Sequence, residues 1–311
     1  MSGARAPGLL LGFAADRILG DPQRFHPIAG FGAVAAHLER RIYADTRVRG
    51  IAHAAALVGG AVTLGIATER VTARSPIARA AATALATWAV LGGRSLEREA
   101  FAVHARLAAG DLPAARQRLT HLVGRDTSAL DEAQVARAVI ESVAENTSDA
   151  VVAPLVWAAV GGMPGLLGYR AANTLDAMVG HHNDRYERFG WASARLDDLV
   201  NLPGSRLAGA LTAALGGRPL AAIAVWRRDA RRHPSPNAGV VESTFAGSLG
   251  VRLGGTNTYD GDRIEHRAVM GDGRPPAPDD IPRATRLARR VGIGAVGLIA
   301  LVLVAARESY R

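Results

Sequence analysis

The sequence contains no cysteine and, although 37 of its 311 residues are basic, no lysine: every basic residue is arginine. The first absence removes thiolate nucleophiles, thiolate zinc sites and disulfides. The second removes Schiff-base and pyridoxal-phosphate lysines, lysine adenylation, and the phosphate loop whose signature ends in Gly-Lys-Ser/Thr. Aromatic residues are scarce at 5%, and the arginines are scattered rather than gathered in a stripe. Both features argue against nucleic acid as a partner, despite a net charge of +9. There is no Rossmann fingerprint and no Gly-x-Ser-x-Gly elbow. What remains is carboxylate, imidazole, hydroxyl and guanidinium chemistry, on a chain long enough for one large domain or two small ones.

A mean hydropathy of +0.09 fits a soluble protein or a membrane protein with large polar loops, so the distribution of apolar residues decides. The cleanest run is VGIGAVGLIALVLVAA at residues 291–306, bracketed by Arg289, Arg290 and Arg307. At 1.5 Å per residue it covers about 24 Å of a hydrocarbon layer about 30 Å thick, and the flanking arginines can snorkel to make up the difference. Residues 150–169 are also uncharged but carry Pro154, Pro164 and the Gly161-Gly162 pair, which predicts a broken span. Residues 51–68 and 77–91 are rich in small residues that let helices approach closely in lipid, and residues 207–226 are apolar apart from Arg218. The alternative for all five runs is an Ala-rich soluble bundle. At the N-terminus, GLLLGFAADRILGDP resembles a signal peptide, but Asp16 and Arg17 interrupt it, so a retained first helix is expected, stopped by Gly20, Asp21 and Pro22.

Three polar regions separate the runs. Residues 92–149 read as helical, with starts at Asp111 and at Asp126-Thr127-Ser128. Residues 170–206 are dense in Asn, Asp, Arg and His, and residues 227–283 read as a long, partly irregular loop with a short strand possibility at 256–259. No internal repeat is evident. The expected fold is all-α: a single polytopic integral membrane domain over residues 1–311, with about four to six membrane-associated helices and its site in polar loops.

Glu141, Glu145 and Asp149 recur at four-residue spacing and would line one helical face beside Asn146. Such a stripe calls for a compensating cation, Mg²⁺ or Arg, unless it is a solvated face paired with arginines such as Arg137. Arg170, Asn173 and Asp176 share a polar face at the far end of the next apolar run, where ionisable residues are costly. His181 and His182 read more readily as an exposed loop than as a metal site. Asp197 and Asp198, with Arg195, Asn201 and Arg206 nearby, suit Mg²⁺, or else are helix caps and ion pairs. His233, Ser235, Asn237 and Gly239 lie around two prolines, and Gly254, Gly255 and Gly261 permit close backbone approach to a ligand.

Six segments in order resemble the cobalamin-biosynthesis family CobD/CbiB: GDPxxxxHP at 20–27, RDTSxLD at 125–131, ESVAENxxDxxxAP at 141–154, YRxxNTLDxMxG at 169–180, GWASARLDDLxN at 190–201 and HPSPNAG at 233–239. The resemblance covers essentially the whole chain. It implies an adenosylcobinamide-phosphate synthase of the membrane, an ATP-dependent acid–amine ligase. The ring D propionate of adenosylcobyric acid is joined to the amine of (R)-1-aminopropan-2-ol, free or as its O-phosphate, and ATP is cleaved to ADP and phosphate. An unrelated pyridoxal-phosphate decarboxylase shares the name CobD, and the absence of lysine excludes it.

A carboxylate is a poor electrophile, so ATP would convert it to an acyl phosphate, a transfer that needs Mg²⁺ and guanidinium groups rather than a protein nucleophile. On the resemblance, Asp176, Asp197 and Asp198, with Glu141 and Glu145, are candidate Mg²⁺ ligands or a base. Arg125, Arg170 and Arg195 are candidate phosphate binders. Asn146, Asn173 and Asn237, with Ser235, are candidates to orient substrate, and His233 is a candidate acid or base. Asp198 belongs in both the metal and the catalytic sets. No prosthetic group is expected; the partners are adenosylcobyric acid, aminopropanol phosphate, ATP, the lipid bilayer and other late membrane enzymes of the same synthesis. A transporter also fits broken spans with charges, and a noncatalytic scaffold is a further alternative. The expected location is the inner cell membrane with a cytoplasmic site, because Arg227, Arg228, Arg231 and Arg232 follow the run at 207–226.

Overall fold

A computed structural model describes residues 4–21, 26–259 and 263–308, and most of them are helical, with strand confined to one short hairpin. Gly261 and the centre of the 20–27 motif lie outside the described residues. In chain order the elements are α1 (Arg5–Leu19), α2 (Pro27–Ile42), α3 (Arg47–Val71), α4 (Pro76–Val90), α5 (Gly93–Ala108), α6 (Leu112–Leu119), α7 (Glu132–Thr147), a π-helical turn (Ser148–Val152), α8 (Ala153–Val179), α9 (Trp191–Val200), α10 (Leu202–Leu215), α11 (Pro219–Asp229), α12 (Ala238–Leu249), β1 (Leu253–Tyr259), β2 (Arg263–Met270) and α13 (Asp280–Glu308). The fold is all-α and of the membrane type. Among the described residues three helical stretches are long and apolar enough to cross a bilayer: α3, the continuous stretch Glu132–Val179, and Asp280–Ala306 of α13.

The apolar runs at 51–68, 150–169 and 291–306 fall in these stretches. The run at 77–91 is α4, whose 15 residues rise about 22 Å and fall short of a span. The run at 207–226 is not one helix. It divides into α10 and α11 because Gly217 takes a φ of 80° and Pro219 opens a new helix. The helix expected to start at Asp126 starts instead at Asp131, where the Asp131 side chain accepts the Gln134 N–H and the Gln134 side chain accepts the Asp131 N–H in return. Asp126 accepts the Ser128 N–H, a local turn. The expected strand at 256–259 is real, and it pairs antiparallel with β2 inside what reads from sequence as irregular loop.

The chain forms two compact units. The first comprises residues up to Gly92, Asp149–Gly204, and residues from Val296 onward. Small residues set its helix contacts. A Cβ on Gly8 would stand 2.6 Å from Thr83 Cβ, and one on Gly12 2.5 Å from Thr87 Cβ, so α1 and α4 touch backbone to side chain, as small-xxx-small pairs do in lipid. Gly65 of α3 likewise lies 2.6 Å, by its would-be Cβ, from Pro164 of α8. α8 is broken as expected: Gly162 has φ 62° and ψ −144°, a conformation open to glycine. The N–H freed there, on Met163, donates to Glu69 Oε1 at 3.0 Å, and Arg5 Nη2 donates to the same oxygen at 3.2 Å.

The second unit comprises Gly93–Ser148 and Ser205–Ala295. Its centre is α12, all twelve of whose residues are buried. Gly247 lets α12 approach α11 closely, since its Cβ would meet Ala222 Cα at 2.7 Å. The helix stops at Gly250 in the left-handed region, and the β1–β2 hairpin follows, with an irregularity between Leu253 and Gly255.

Candidate functional site

In the first unit, three of the motifs meet in one hydrogen-bonded network. Asp149 lies in the π-helical turn that follows α7. Asn201, at the end of α9, donates to Asp149 Oδ1 at 2.5 Å. The Asn173 amide nitrogen of α8 lies 3.5 Å from Asp149 Oδ2 and 3.3 Å from Asp197 Oδ1. Arg170 Nη1 donates to Asn173 Oδ1 at 3.3 Å, and the Tyr169 hydroxyl donates to the Asp149 carbonyl at 3.2 Å. Two carboxylates therefore converge on one amide, with a guanidinium one bond away.

Asp198 stands apart from Asp197. Consecutive helical residues point about 100° apart, so Asp197 is buried against Asn173 while Asp198 lies 3.8 Å from Arg195. Burial pushes the Asp198 carboxyl above its ordinary range, with Arg195 and His182 opposing. Asp176 is half-buried, one turn beyond Asn173, and its carbonyl accepts the Gly180 N–H. Arg195 is exposed. His182 is exposed and pairs with Glu187 at 3.0 Å, in keeping with a loop.

The second unit gathers the other candidates. Arg125 Nη2 donates to Glu141 Oε2 at 2.6 Å, with both side chains buried. Glu141 Oε1 accepts the Gly254 N–H at 2.8 Å. Arg137 donates to the Gly254 carbonyl and, at 2.9 Å, to that of Thr256. Glu141 is thus the joint between α7 and the hairpin. Glu145, one turn on, is exposed, and Asn146 turns back to donate to the Ser142 carbonyl at 2.9 Å.

The HPSPNAG segment is a built turn. His233 Nδ1 accepts the Ser235 N–H at 3.0 Å, and Ser235 Oγ accepts the N–H groups of Asn237 and Ala238, each at 3.2 Å. Asn237 Oδ1 accepts from Ser205 Oγ at 2.8 Å and from Arg206 at 2.7 Å. His233 Nε2 then faces Glu242 Oε1 at 3.7 Å.

Glu242 is the residue that sequence reasoning missed. It is 1% exposed, and neither carboxylate oxygen has a hydrogen-bond partner among the described residues. Burial first, then the charges of Glu141 and Glu145, push it well above the usual carboxylate range, while Arg267 and Arg125 oppose. One signal pointed to it: Glu242 is the only charged residue between Asn237 and Val251, and a lone carboxylate in a small-residue helix is expensive to bury.

Among the described residues no group of three or more His, Asp or Glu side chains is placed to hold a metal ion. Mg²⁺ typically takes one or two protein carboxylates and completes its shell with water and substrate phosphates. The hard oxygen donors of Asp149 and Asp197, drawn to one point by Asn173, fit that demand.

Fold and sites together define a helical membrane protein with acid–amide–guanidinium clusters. The CobD/CbiB protein family matches residues 9–288, and the chain belongs to that family. It is 50% identical over 309 residues to the cobalamin biosynthesis protein CobD of Mycobacterium tuberculosis, covering 98% of this chain and 97% of that one. It is 42% identical to CobD of Rhodobacter capsulatus over 95% and 96% of the two chains, and 45% identical to CobD of Geobacter metallireducens over 83% of each. No solved structure matches.

Proposed function

We propose that the protein acts in cobalamin biosynthesis as an ATP-dependent ligase. It joins the ring D propionate of adenosylcobyric acid to the amine of (R)-1-aminopropan-2-ol O-phosphate, or of the free amino alcohol, and releases ADP and phosphate. One observation carries the reading beyond family membership. Asp149, Asn173, Asp197 and Asn201 come from three motifs spread over more than fifty residues and close into a single network.

The chemistry needs a phosphoryl group moved onto a carboxylate, and then an amine delivered to the acyl phosphate so formed. Mg²⁺ bound at Asp149 and Asp197 would neutralise phosphate charge. Arg170, next to that pair, supplies a guanidinium whose planar fork suits phosphate oxygens. Asn173 and Asn201 fix the orientation of both carboxylates, which serves pre-organisation. Glu145 remains a candidate base for the proton that the incoming ammonium must lose before it can attack. Asp176, Asp198, Arg195 and Arg125 remain candidates for binding the rest of the substrates. The enzyme works in the cell membrane with its site towards the cytoplasm, where ATP is found, and the arginines after α11 agree with that side.

A second reading, transport, is favoured by the break at Gly162 in α8, since discontinuous spans build substrate sites in transporters. Detergent-purified protein given adenosylcobyric acid, aminopropanol phosphate, ATP and Mg²⁺ separates the two. ATP-dependent appearance of the cobinamide phosphate mass together with ADP supports the ligase. Corrinoid binding with no amide formed under any nucleotide condition overturns it in favour of transport or a scaffold.

A further inference from the structure

The first unit contains a cavity of about 920 Å³ between α2, α3, α4 and α8. Phe31, Leu57, Leu64, Leu85 and Leu167 are among its walls, Gly60 opens it on α3, and Trp88 lines it on α4. Filled with water, a space of that size would hold about thirty molecules, each needing two to four polar partners. The lining offers few beyond Arg170, Thr68 and Thr174, and Arg170 is already bonded to Asn173. Water is therefore a poor occupant.

The rim points to a better one. Val34, Leu64 and Leu85 are 59%, 61% and 62% exposed, so the opening is as apolar as the interior. Two of the walls, α3 and α8, belong to stretches long and apolar enough to cross a bilayer. An apolar opening on membrane-crossing helices faces hydrocarbon, and the chemistry that fits a long apolar groove beside such helices is a flexible alkyl chain.

We infer that this groove is a lipid-binding site that holds an acyl chain of a membrane phospholipid. The chain covers the helix faces that α2, α3, α4 and α8 leave unpacked, and forms the apolar wall beside Arg170. The inference concerns binding and stands apart from the ligase reading.

Trp88 is a reporter already in place, with its indole N–H donating to the Gly20 carbonyl at 2.8 Å. The full-length protein is reconstituted in vesicles of phosphatidylcholine with or without bromine atoms on the acyl chains, and its tryptophan emission is measured against a Trp88→Phe variant, so that the difference belongs to Trp88. Bromine quenches on contact, and the expected result is loss of at least half of the Trp88 emission. A Cβ on Gly60 meets nothing within 4 Å, so Gly60→Phe has room to fill the groove, and Ala61→Phe fills it from the next position. Both are expected to restore most of the emission. Gly59→Phe, also open at its Cβ but outside the lining, is expected to leave quenching unchanged.

Trp88 emission indifferent to bromination, or equally quenched in the wild type and in both filling variants, overturns the assignment. Emission that follows protein density rather than bromination would place a second copy of the chain in the groove, and also overturns it. No turnover enters the measurement, so failure of the ligase reading leaves the outcome intact.

Discussion

His233 presents Nε2 at 3.7 Å from Glu242 Oε1, with both side chains almost fully buried. The Ser235 N–H donates to His233 Nδ1, so in the neutral ring the proton sits on Nε2, facing the carboxylate. His26 repeats the device at the start of α2, its Nδ1 accepting the Ile28 N–H at 3.1 Å. Both His-Pro motifs therefore use the imidazole as a backbone acceptor and leave Nε2 to face an acid. At the second, that acid is the one the sequence reading overlooked.

Glu242 should make stability fall as pH rises. Its carboxyl is held above the ordinary range by burial and by Glu141 and Glu145. The folded state thus keeps its proton at a pH where the unfolded chain has lost it. The stabilising contribution is complete below the unfolded value and is lost as pH climbs through the folded one. Glu242→Gln removes the titration and is expected to flatten the alkaline side of a plot of unfolding midpoint against pH. A Gln variant with the wild-type slope would assign that slope to other groups.

Asp229 should act in the opposite direction. The Arg228 guanidinium, helped by the Gly271 N–H, holds its carboxyl below the ordinary range. Its contribution is present at neutral pH and is lost as pH falls through the folded value. Asp229→Asn is expected to lower stability at pH 7 and to weaken the acid dependence in the same midpoint measurements.

Removing Arg125 takes from the buried Glu141 carboxylate its closest cation and leaves it Arg137 at 3.8 Å and the Gly254 N–H, at a cost of up to about 3–5 kcal/mol. Arg125→Ala should show this loss in denaturant unfolding of the detergent-solubilised protein. Arg125→Met with Glu141→Leu should cost less than Arg125→Ala, although the Gly254 N–H then loses its acceptor.

Gly12→Val drives a side chain into Thr87, where even a Cβ would be 2.5 Å from Thr87 Cβ. Overpacking of this kind costs about 1–3 kcal/mol. Thr87→Gly in the same chain, which removes both the Cβ and the Cγ2 that the new side chain meets, should recover part of the lost thermal midpoint, which marks the contact between α1 and α4 as the cause.

Asp149→Asn and Asp197→Asn should each lower the ligation rate by about 100-fold, the scale of a misplaced reacting group, with the protein still folded. Asp198→Asn is expected to lose less, because Asp198 faces Arg195 rather than Asn173. Equal losses at Asp197 and Asp198 in a single-turnover assay would return Asp198 to the site.

Short-range physics was legible in the residues themselves. The uncharged run between Arg290 and Arg307 marked the span in α13, Gly162 with Pro164 marked the break in α8, and Gly20 the end of α1. Each depends on a handful of neighbours along the chain. The ordered motifs marked segments that meet in the first network, Asn173 and Asp197 among them. Tertiary packing decided the rest. Asp149 found its partners in Asn173 and Asn201, 24 and 52 residues on. Glu141 gained its partners from Gly254, 113 residues away, and Glu242 was set among charges that share no local pattern with it. A helical repeat determines which side chains share a face, but the partner that face meets is chosen by contacts distant in sequence, and those contacts exist only once the chain has folded.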